Sequence, residues 1–425
     1  MHIAWLGKKT PFCGNVTYSR EVTNALLDRG YQVSFLHFAQ DSQEGDRKFD
    51  WTLPNSVWGL QMSRILGNDD EKTDSDLLDI KNIKEINNIN ENWSQSLSCE
   101  VPLPYLYKSQ IYTIPSLKSS KVLKQSLKDL RPDIVHASLT LSPLDFLLPE
   151  ICEELDLPLI ATFHAPFEKK VRNFTAGTQL LTYQLYAPFL ANYERVVIFS
   201  QIQKDYLVKL GVPEERIAII PNGVDSLKYS PGKSSLKQEL ETERLFTYQG
   251  RIAPEKNVEA LLKAWKNSDL GANSKLLIVG DGPLSSVLQA NYNSEDNIIW
   301  FGFVGDEERR IEILRGSDVF ILPSLVEGLS LSLLEAMSAG VACVATDAGA
   351  DGEVLEEGAG IVLNMQRVTS ELKTLLPVLR DQAEFTNLLG QKARSRVLER
   401  YTLRDNITRL EMLYAEVLGK TAQKI

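Results

Sequence analysis

Short, almost entirely apolar segments alternate with longer helical patterns along most of this 425-residue chain. Such segments are typical of strands buried on both faces, and their alternation with helices indicates parallel sheets covered on both sides. Two series of five segments occur, so we predict an α/β protein with two doubly wound, Rossmann-like domains. The predicted strands cover residues 2–7, 31–38, 133–137, 158–164 and 195–200, then 245–250, 275–280, 297–302, 318–323 and 341–346.

A polar segment between the two series marks the predicted domain boundary. It contains Pro221-Asn222-Gly223 and is followed by a Pro/Gly/Ser-rich stretch at 230–235. We predict a first domain over 1–222 and a second over 223–402. A helix predicted over 403–418 needs a surface for its apolar face, so we expect residues 403–425 to return to the first domain. The acidic, then Asn-rich segment 67–95 lacks a clear period and is predicted to be a mobile insertion.

The composition argues against several classes of protein. Hydrophobic residues make up 43% of the chain and charged residues 24%, as in an ordinary soluble globular protein. A net charge of −10 argues against general nucleic-acid binding. The four cysteines form no CxxC pair and only four histidines occur, so we predict neither a disulfide framework nor a metal site. We find no signal-peptide pattern and no 18-residue apolar run, and therefore expect a cytoplasmic protein.

Two nucleotide-binding loops are excluded at their key positions. Gly280-Asp281-Gly282 begins like a dinucleotide-binding loop, but Ser285 stands where the third glycine belongs. Gly232-Lys233-Ser234 resembles the end of a P-loop, but Leu227 replaces its first glycine. Neither an NAD site nor a P-loop is therefore predicted.

Candidate ligand-binding residues follow two strands of the first series. In open α/β sheets, ligands bind at the carboxyl ends of the strands. Gly14 lies just before a helix, where backbone amides can approach a phosphate or sugar, although a plain turn capped by Asn15 would look the same. His164 ends a strand and is either a ligand-binding side chain or a structural histidine.

Charged pairs follow two strands of the second series. Arg251 and Lys256 could hold a diphosphate, or they could be two solvated surface charges. Glu327 and Glu335 flank the start of a predicted helix, where amides point at an anion and carboxylates can accept hydrogen bonds from sugar hydroxyls. A helix cap with a surface charge would look the same. All these candidate residues follow strands, in both predicted domains, and this common placement favours ligand binding over the alternatives.

Taken together, these segments resemble the family-four retaining glycosyltransferases, which share the two-domain GT-B fold. The resemblance covers nearly the whole chain and is strongest over residues 217–363. It rests on Pro221-Asn222-Gly223-Val224-Asp225, Gly250-Arg251, Glu255-Lys256-Asn257, Val279-Gly280-Asp281-Gly282-Pro283, Pro323-Ser324 and residues 327–335. The family implies a nucleotide-sugar donor on the second domain, an acceptor on the first, and neither a cofactor nor an essential metal.

The family also implies a role for each candidate residue. Arg251 and Lys256 are expected to grip the donor diphosphate, Glu335 the ribose and Glu327 the donor sugar. The other expected contacts are those of the Leu331 and Ser332 amides with the diphosphate, the Val304 backbone with the base, His164 with the transferred sugar and Gly14 with the phosphate.

Two segments depart from the family pattern. Cys13-Gly14 stands where many relatives have paired glycines, and Gly328-Leu329-Ser330-Leu331 is unusual, so the identity of the donor sugar stays open.

The family also implies the chemistry of the reaction. A retaining transfer passes through an oxocarbenium-like state, with negative charge growing on the leaving diphosphate. Arg251, Lys256 and the helix N-terminus are the groups expected to stabilise that charge.

The first domain has features that suit a membrane surface. Lys118, Lys121, Lys124 and Lys128 follow one side of a predicted helix with leucines on another side. Trp51 and Trp58 lie in a segment rich in apolar residues. The alternatives are a solvated helix face for the lysines and core packing for the tryptophans.

More narrowly, the first domain resembles cyanobacterial-type digalactosyldiacylglycerol synthases, through residues 5–18, 103–115, 135–151 and 161–167. This resemblance implies transfer of galactose from UDP-galactose to monogalactosyldiacylglycerol by a protein attached peripherally to an anionic membrane. The alternatives are a family-four enzyme with another nucleotide sugar and a soluble or polysaccharide acceptor, a nucleotide-sugar epimerase, and a catalytically silent binding subunit.

Overall fold

The computed structural model describes residues 1–10, 13–39, 93, 95–109, 112–166 and 174–422. Trp51, Trp58 and nearly all of the predicted insertion 67–95 lie outside the described residues. Trp93, near the end of that range, is buried and donates its indole N–H to Thr23 Oγ1 over 3.0 Å. The chain is therefore packed against the first domain at this point.

The first domain contains a seven-stranded parallel sheet. Its strands are β1 (His2–Leu6), β2 (Gln32–Phe38), β3 (Cys99–Leu103), β6 (Ile134–Ser138), β7 (Leu159–Thr162), β8 (Arg195–Ile198) and β9 (Ile217–Ile219). Their order is β3-β2-β1-β6-β7-β8-β9, so the winding reverses between β1 and β6. β4 (Tyr105–Lys108) and β5 (Thr113–Pro115) form a separate antiparallel hairpin.

The second domain contains a six-stranded parallel sheet. Its strands are β10 (Arg244–Gln249), β11 (Ser274–Val279), β12 (Ile298–Gly302), β13 (Val319–Leu322), β14 (Ala342–Thr346) and β15 (Ile361–Leu363). Their order is β12-β11-β10-β13-β14-β15, with the reversal between β10 and β13. Such reversals open a crevice at the carboxyl ends of the strands, so each domain has one natural ligand site.

Helices cover both sheets. In the first domain they are α1 (Gly14–Asp28), α2 (Ser119–Leu130), α3 (Pro143–Glu154), α4 (Phe174–Leu190) and α5 (Gln201–Lys209). In the second domain they are α6 (Leu236–Glu239), α7 (Val258–Lys266), α8 (Ser285–Asn291), α9 (Glu307–Gly316), α10 (Leu331–Ser338), α11 (Asp351–Leu355), α12 (Val368–Asp381) and α13 (Ala383–Arg400). The last helix is α14 (Leu403–Ala422). The predicted fold class, two doubly wound domains, is confirmed.

All the predicted strands are present, with ends shifted by a residue or two. The sequence analysis missed β3, β9, β15 and the hairpin, which are short and only partly buried. It also placed the start of the first helix too late. Helix α1 begins at Gly14, and Cys13, rather than Asn15, occupies the N-cap position without a capping side-chain hydrogen bond.

The chain passes between the domains twice, and the two passing segments pair side by side. The Val224 N–H donates to Tyr401 O and the Leu403 N–H donates to Val224 O, both over 2.9 Å. A Cβ at Gly223 would lie 2.7 Å from Leu403 Cα, so only glycine permits this approach. Asn222, the predicted boundary, lies between β9 and β10.

Helix α14 then packs against α1 of the first domain, as the amphipathic pattern predicted. Its residues Ile407, Leu410 and Val417 are buried in the core that contains β1 and α1. The Tyr414 hydroxyl lies 2.6 Å from His136 Nδ1, at the centre of the first sheet. The second domain is thus connected to the first at both its N-terminal and its C-terminal end.

Candidate active site

The first part of the site is the turn after β10, which carries Arg251. A Cβ at Gly280, the residue after β11, would lie 1.9 Å from Gly250 O, and Gly280 has φ +129. Glycine is therefore required where these two strand ends meet. The Tyr248 hydroxyl donates to Arg251 O over 2.7 Å, which fixes the backbone of the turn. The Arg251 side chain is one-third exposed and forms an ion pair with Glu255.

Lys256 and Glu327, which the sequence separates by 71 residues, form a direct ion pair in the cleft. Lys256 Nζ lies 2.6 Å from Glu327 Oε1, and both side chains are largely buried. The loops that carry them are joined, because the Leu325 N–H donates to Glu255 O over 2.8 Å and the Asn257 side chain donates to Pro323 O over 3.2 Å. The loops that follow the adjacent strands β10 and β13 thus hold one cation directly beside one carboxylate.

The start of α10 is held by a residue that the sequence analysis missed. Asp351 is buried, and its Oδ1 accepts the Ser330 N–H over 2.9 Å. Burial and the neighbouring Glu327 carboxylate raise the pKa of Asp351 well above its usual range. Ser330 caps α10, so Leu331 and Ser332 open the helix as expected and present its N-terminus to the cleft. Asp351 is thus a positioning residue for this loop.

The backbone at Gly349 packs closely against the same loop. It has φ +58, and a Cβ there would lie 2.3 Å from Glu327 O. The neighbouring Ala350 N–H donates to Gly328 O over 2.7 Å. The sequence signal for this support was the run Ala348-Gly349-Ala350-Asp351-Gly352, which begins two residues after the end of the buried strand β14.

On the first domain, His164 follows β7 and lies at the same end of the sheet as the other candidates. Its Nε2 is 2.9 Å from Ser138 Oγ, and the Tyr18 ring packs edge-on against the imidazole at 4.6 Å between centroids. Burial and the charge of Lys8 lower the pKa of His164 to about 3. The imidazole is therefore neutral near pH 7 and suited to hydrogen bonding rather than to cationic catalysis.

The two halves of the site meet across the cleft. A Cβ at Gly328 would lie 3.4 Å from His164 O, so the loop after Glu327 approaches the end of β7. The Asn222 side chain donates to Leu329 O over 2.9 Å and ties the interdomain segment to that loop. His164 and the Lys256–Glu327 pair therefore lie in segments that approach each other.

Glu335 lies on α10, within the first turns of the helix as predicted. Its Oε2 accepts a hydrogen bond from Gln249 Nε2 over 3.1 Å. Burial raises the pKa of Glu335 to about 7, with further upward contributions from Glu307 and Glu21 and a downward one from Arg310. Val304 follows β12, and its carbonyl oxygen accepts from Arg310 Nη1 over 3.1 Å.

The remaining predicted residues lie in the first domain. Gly14 is the first residue of α1, and a Cβ there would meet no atom within 4 Å, so the space beside it is open. Lys118 lies at the N-cap of α2, and Lys121 and Lys128 are exposed on that helix. Lys124 forms an ion pair with Glu154 of α3. No group of three or more His, Cys, Asp or Glu side chains is placed to hold a metal within the residues that the structure describes.

Comparisons with known proteins agree with this architecture. Residues 233–396 match the model described as "Glycosyl transferases group 1", and residues 96–226 match "Glycosyltransferase Family 4". A UDP-Gal:alpha-D-GlcNAc-diphosphoundecaprenol alpha-1,3-galactosyltransferase of Escherichia coli is 30% identical over 72% of this chain and 81% of its own. The chain belongs to the family-four glycosyltransferases.

Other relatives of this glycosyltransferase are more distant. A sulfoquinovosyl transferase of Arabidopsis thaliana is 26% identical over 73% of this chain and 61% of its own. An alpha-monoglucosyldiacylglycerol synthase of Streptococcus pneumoniae is 28% identical over about half of each chain. The crystal structure of Anabaena HepE with UDP and glucose superposes with a TM-score of 0.70 over 98% of this chain and 100% of its own, at 15% identity. This last likeness shows the GT-B fold.

We predict that Lys256→Ala lowers turnover far more than donor binding. The ammonium is expected to stabilise charge that develops only as the diphosphate leaves, and losing one such group typically costs about 10²–10³-fold in kcat. Steady-state kinetics with calorimetric titration of the sugar nucleotide separates the two effects. Lys263→Ala, which breaks an exposed ion pair with Glu259 on α7, is the matched control. Unchanged turnover in Lys256→Ala would remove this residue from the role.

We also predict that donor binding strengthens as the pH rises through about 7. The ribose hydroxyls are expected to donate to the ionised form of Glu335, so at pH 6 binding would first release a proton from a group whose pKa is about 7. The dissociation constant of UDP-galactose should therefore fall about tenfold between pH 6 and 8.

Glu335→Gln is the control for this pH dependence. It should bind more weakly at pH 8 and show a flat profile, because no proton is released. The sugar nucleotide is preferable to UDP, whose terminal phosphate titrates in the same range. A wild-type profile that stays flat would contradict the assignment of Glu335 to the ribose.

Proposed function

We propose that this glycosyltransferase transfers galactose from UDP-galactose, with retention of configuration, to a sugar-bearing membrane lipid. The observation that carries the proposal is the approach of the Glu327 loop to His164 across the cleft. It brings a cation, a carboxylate and a neutral imidazole together at the carboxyl ends of both sheets. A diphosphate, a hexose and an attacking hydroxyl need groups of these three kinds.

The donor assignment rests on the second domain. Arg251, Lys256 and the N-terminus of α10 supply positive charge for a diphosphate, and Glu335 lies on the same helix for the ribose. The Escherichia coli relative is named for UDP-Gal, and the Anabaena structure holds UDP and glucose. In the proposed reaction the protein's own cations neutralise the diphosphate, and no essential metal or cofactor is required.

The chemical step has a simple balance of bonds. The bond between the anomeric carbon and the diphosphate oxygen breaks, and the acceptor oxygen bonds to the same face of the sugar. The acceptor proton passes to the departing diphosphate, whose growing charge is stabilised by Arg251 and Lys256. The His164 imidazole is neutral near pH 7, and it can either accept a hydrogen bond from a sugar hydroxyl or donate one to it.

The resemblance of the first domain suggests monogalactosyldiacylglycerol as the acceptor. The name of the Streptococcus relative, an alpha-monoglucosyldiacylglycerol synthase, supports a glycolipid acceptor of this kind. The Escherichia coli relative instead supports a second candidate, a sugar linked to a lipid through a diphosphate. Both acceptors present a sugar hydroxyl above a membrane surface.

An exposed apolar surface next to α2 supports attachment to a membrane. We call it the hairpin surface, and it consists of Leu106, Tyr107, Tyr112, Ile114 and Leu117 on and just after the β4–β5 hairpin. Leu117 is 98% exposed and Leu106 is 72% exposed. Lys118 and Lys121 come next in the chain, so exposed apolar side chains are followed by cations, the combination that binding to an anionic bilayer requires.

The proposed attachment is therefore peripheral, on the cytoplasmic side of a membrane. No helix among the described residues is both long and apolar enough to cross a bilayer. The lysines predicted from the sequence thus acquire apolar neighbours that the sequence analysis did not connect with them.

The function is tested by measuring UDP release and the lipid product together. UDP-galactose or UDP-glucose is supplied with mixed micelles of monogalactosyldiacylglycerol, with a diphosphate-linked lipid sugar, or with no acceptor. We expect release to require UDP-galactose and one of the two lipids, and the α-linked product to appear in the lipid fraction. Transfer only to a soluble sugar, or only from UDP-glucose, would overturn the proposal while leaving the family assignment intact.

We predict that Leu106→Ser/Leu117→Ser weakens membrane binding without unfolding the protein. Each leucine contributes roughly 1.5–3 kcal/mol when it leaves water, so binding should fall at least about tenfold. Co-sedimentation with vesicles of phosphatidylcholine and 30 mol% phosphatidylglycerol measures it. Met412→Ser, at a site on α14 that is 68% exposed, is the control. Equal binding by both variants would remove the hairpin surface from the membrane contact.

A further inference from the structure

The His164 imidazole is held in place by three buried side chains. Its Nε2 lies 2.9 Å from Ser138 Oγ, the Tyr18 ring is edge-on at 4.6 Å between centroids, and the Phe199 ring is tilted at 5.2 Å. Each of these three residues is at most 5% exposed. Together the contacts restrict the imidazole to one orientation, in which Nε2 faces the interior of the first domain.

The neighbours of the imidazole are themselves fixed by the sheet. β6 and β7 pair in parallel with Ser138 opposite Thr162, two residues before His164. The Tyr18 hydroxyl lies 3.3 Å from Thr162 Oγ1, and that oxygen lies 2.7 Å from His136 Nε2. Buried hydrogen bonds therefore hold the Tyr18 ring against the imidazole, and strand pairing fixes the place of the Ser138 hydroxyl.

The hydrogen bond with Ser138 determines which nitrogen of His164 carries the proton. A serine hydroxyl has one proton to donate, and a neutral imidazole has one N–H and one acceptor nitrogen. Ser138 is 1% exposed, and in the described part of the chain its hydroxyl bonds only to His164. If Nε2 donated to Ser138, the hydroxyl proton would be buried without an acceptor, which is costly. If Ser138 donates to Nε2, both groups are satisfied and the imidazole proton stays on Nδ1.

Nδ1 is the nitrogen of His164 that is left for a ligand. His164 is only partly buried, whereas the residues that hold its Nε2 edge are fully buried. The lone pair of Nε2 is used by the Ser138 hydroxyl. A neutral imidazole in this arrangement has a single function for a bound molecule, the donation of the Nδ1–H to an oxygen atom.

We propose that Ser138 is a positioning residue that keeps the proton of His164 on Nδ1, so that this N–H donates to an oxygen of the transferred sugar. The contact with the sugar rests on the proposed function, whereas the tautomer does not. In this role His164 has no free lone pair, so it does not remove the proton of the acceptor hydroxyl. The proposed step, in which that proton passes to the departing diphosphate, needs no other base.

The tautomer can be measured by NMR on the full-length protein labelled with ¹⁵N-histidine. The chain contains only four histidines, so substitution of each one assigns its signals. Correlations between ring protons and ring nitrogens distinguish a protonated nitrogen from an unprotonated one. We expect His164 to carry its proton on Nδ1 at pH 7 without any ligand. A wild-type proton on Nε2 would overturn the proposal, whatever the substrate of the enzyme is.

Ser138→Ala tests whether the serine sets the tautomer. Without the hydroxyl, Nε2 loses its donor, and we expect the form with the proton on Nε2 to become populated. Ser34→Ala is the matched control, because Ser34 on β2 is 1% exposed and its Oγ lies 2.8 Å from His2 Nε2, at the other end of the same sheet. It should change the signals of His2 and leave those of His164 unaltered. An unchanged His164 tautomer in Ser138→Ala would remove Ser138 from this role.

Binding measurements separate positioning from a general loss of structure. Ser138→Ala should weaken binding of UDP-galactose about threefold to tenfold, as expected for one neutral hydrogen bond. Binding of UDP, which has no sugar, should stay unchanged, whereas a distorted domain would weaken both ligands. Ser138→Thr retains the hydroxyl and should restore binding of UDP-galactose, and Ser34→Ala should bind both ligands as wild type does. Equal effects of Ser138→Ala on the two ligands would overturn the positioning role.

Two substitutions of His164 test which nitrogen serves the substrate. Asparagine places its amide group near the position of Nδ1, whereas glutamine places its amide near Nε2. We expect His164→Asn to retain a kcat/KM about threefold to tenfold above that of His164→Gln, because only asparagine can donate where Nδ1 does. The reverse order would overturn the proposal. Failure of wild type to bind UDP-galactose would contradict the proposed function, while the NMR measurement decides the tautomer independently.

Discussion

Both sheets of this protein are parallel and covered by helices on both faces, and the positions of its polar groups follow from this. A parallel sheet buried on both sides offers no place for an uncompensated charge except at the ends of its strands. The carboxyl ends of β1, β6 and β7 lie toward those of β10 and β13, as the contact between Gly328 and His164 shows. Charged and polar side chains from both domains consequently meet in a single cleft.

The cleft contains a largely buried ion pair. Lys256 and Glu327 lie 2.6 Å apart, so each charge is compensated by the other in the absence of a ligand. A single buried charge is costly, and removing either partner would leave the other uncompensated. The two loops that carry this pair are therefore expected to keep their relative positions when a ligand binds.

The alternation of apolar strands and helices was sufficient to predict the fold class and the main strands. It was also sufficient to place Arg251, Lys256, Glu327 and Glu335 at strand ends or on the helix that follows. Periodicity carries no information on contacts between distant segments, however. The pairing of Lys256 with Glu327 and the support of Ser330 by Asp351 join residues that are 71 and 21 positions apart. Short strands such as β9 and β15 were missed because three residues show no period.

The paired segments at Gly223 and Leu403 determine how the cleft can change its width. Two covalent connections lie side by side at one place, with backbone hydrogen bonds between them and no side chain at Gly223 to separate them. Independent sliding of one domain past the other would stretch one connection and break those bonds. Rotation about an axis through the paired segments leaves both intact. The protein therefore has, to a first approximation, a hinge with a fixed pivot, and any opening or closing changes the distance between the facing strand ends in proportion to their distance from Gly223.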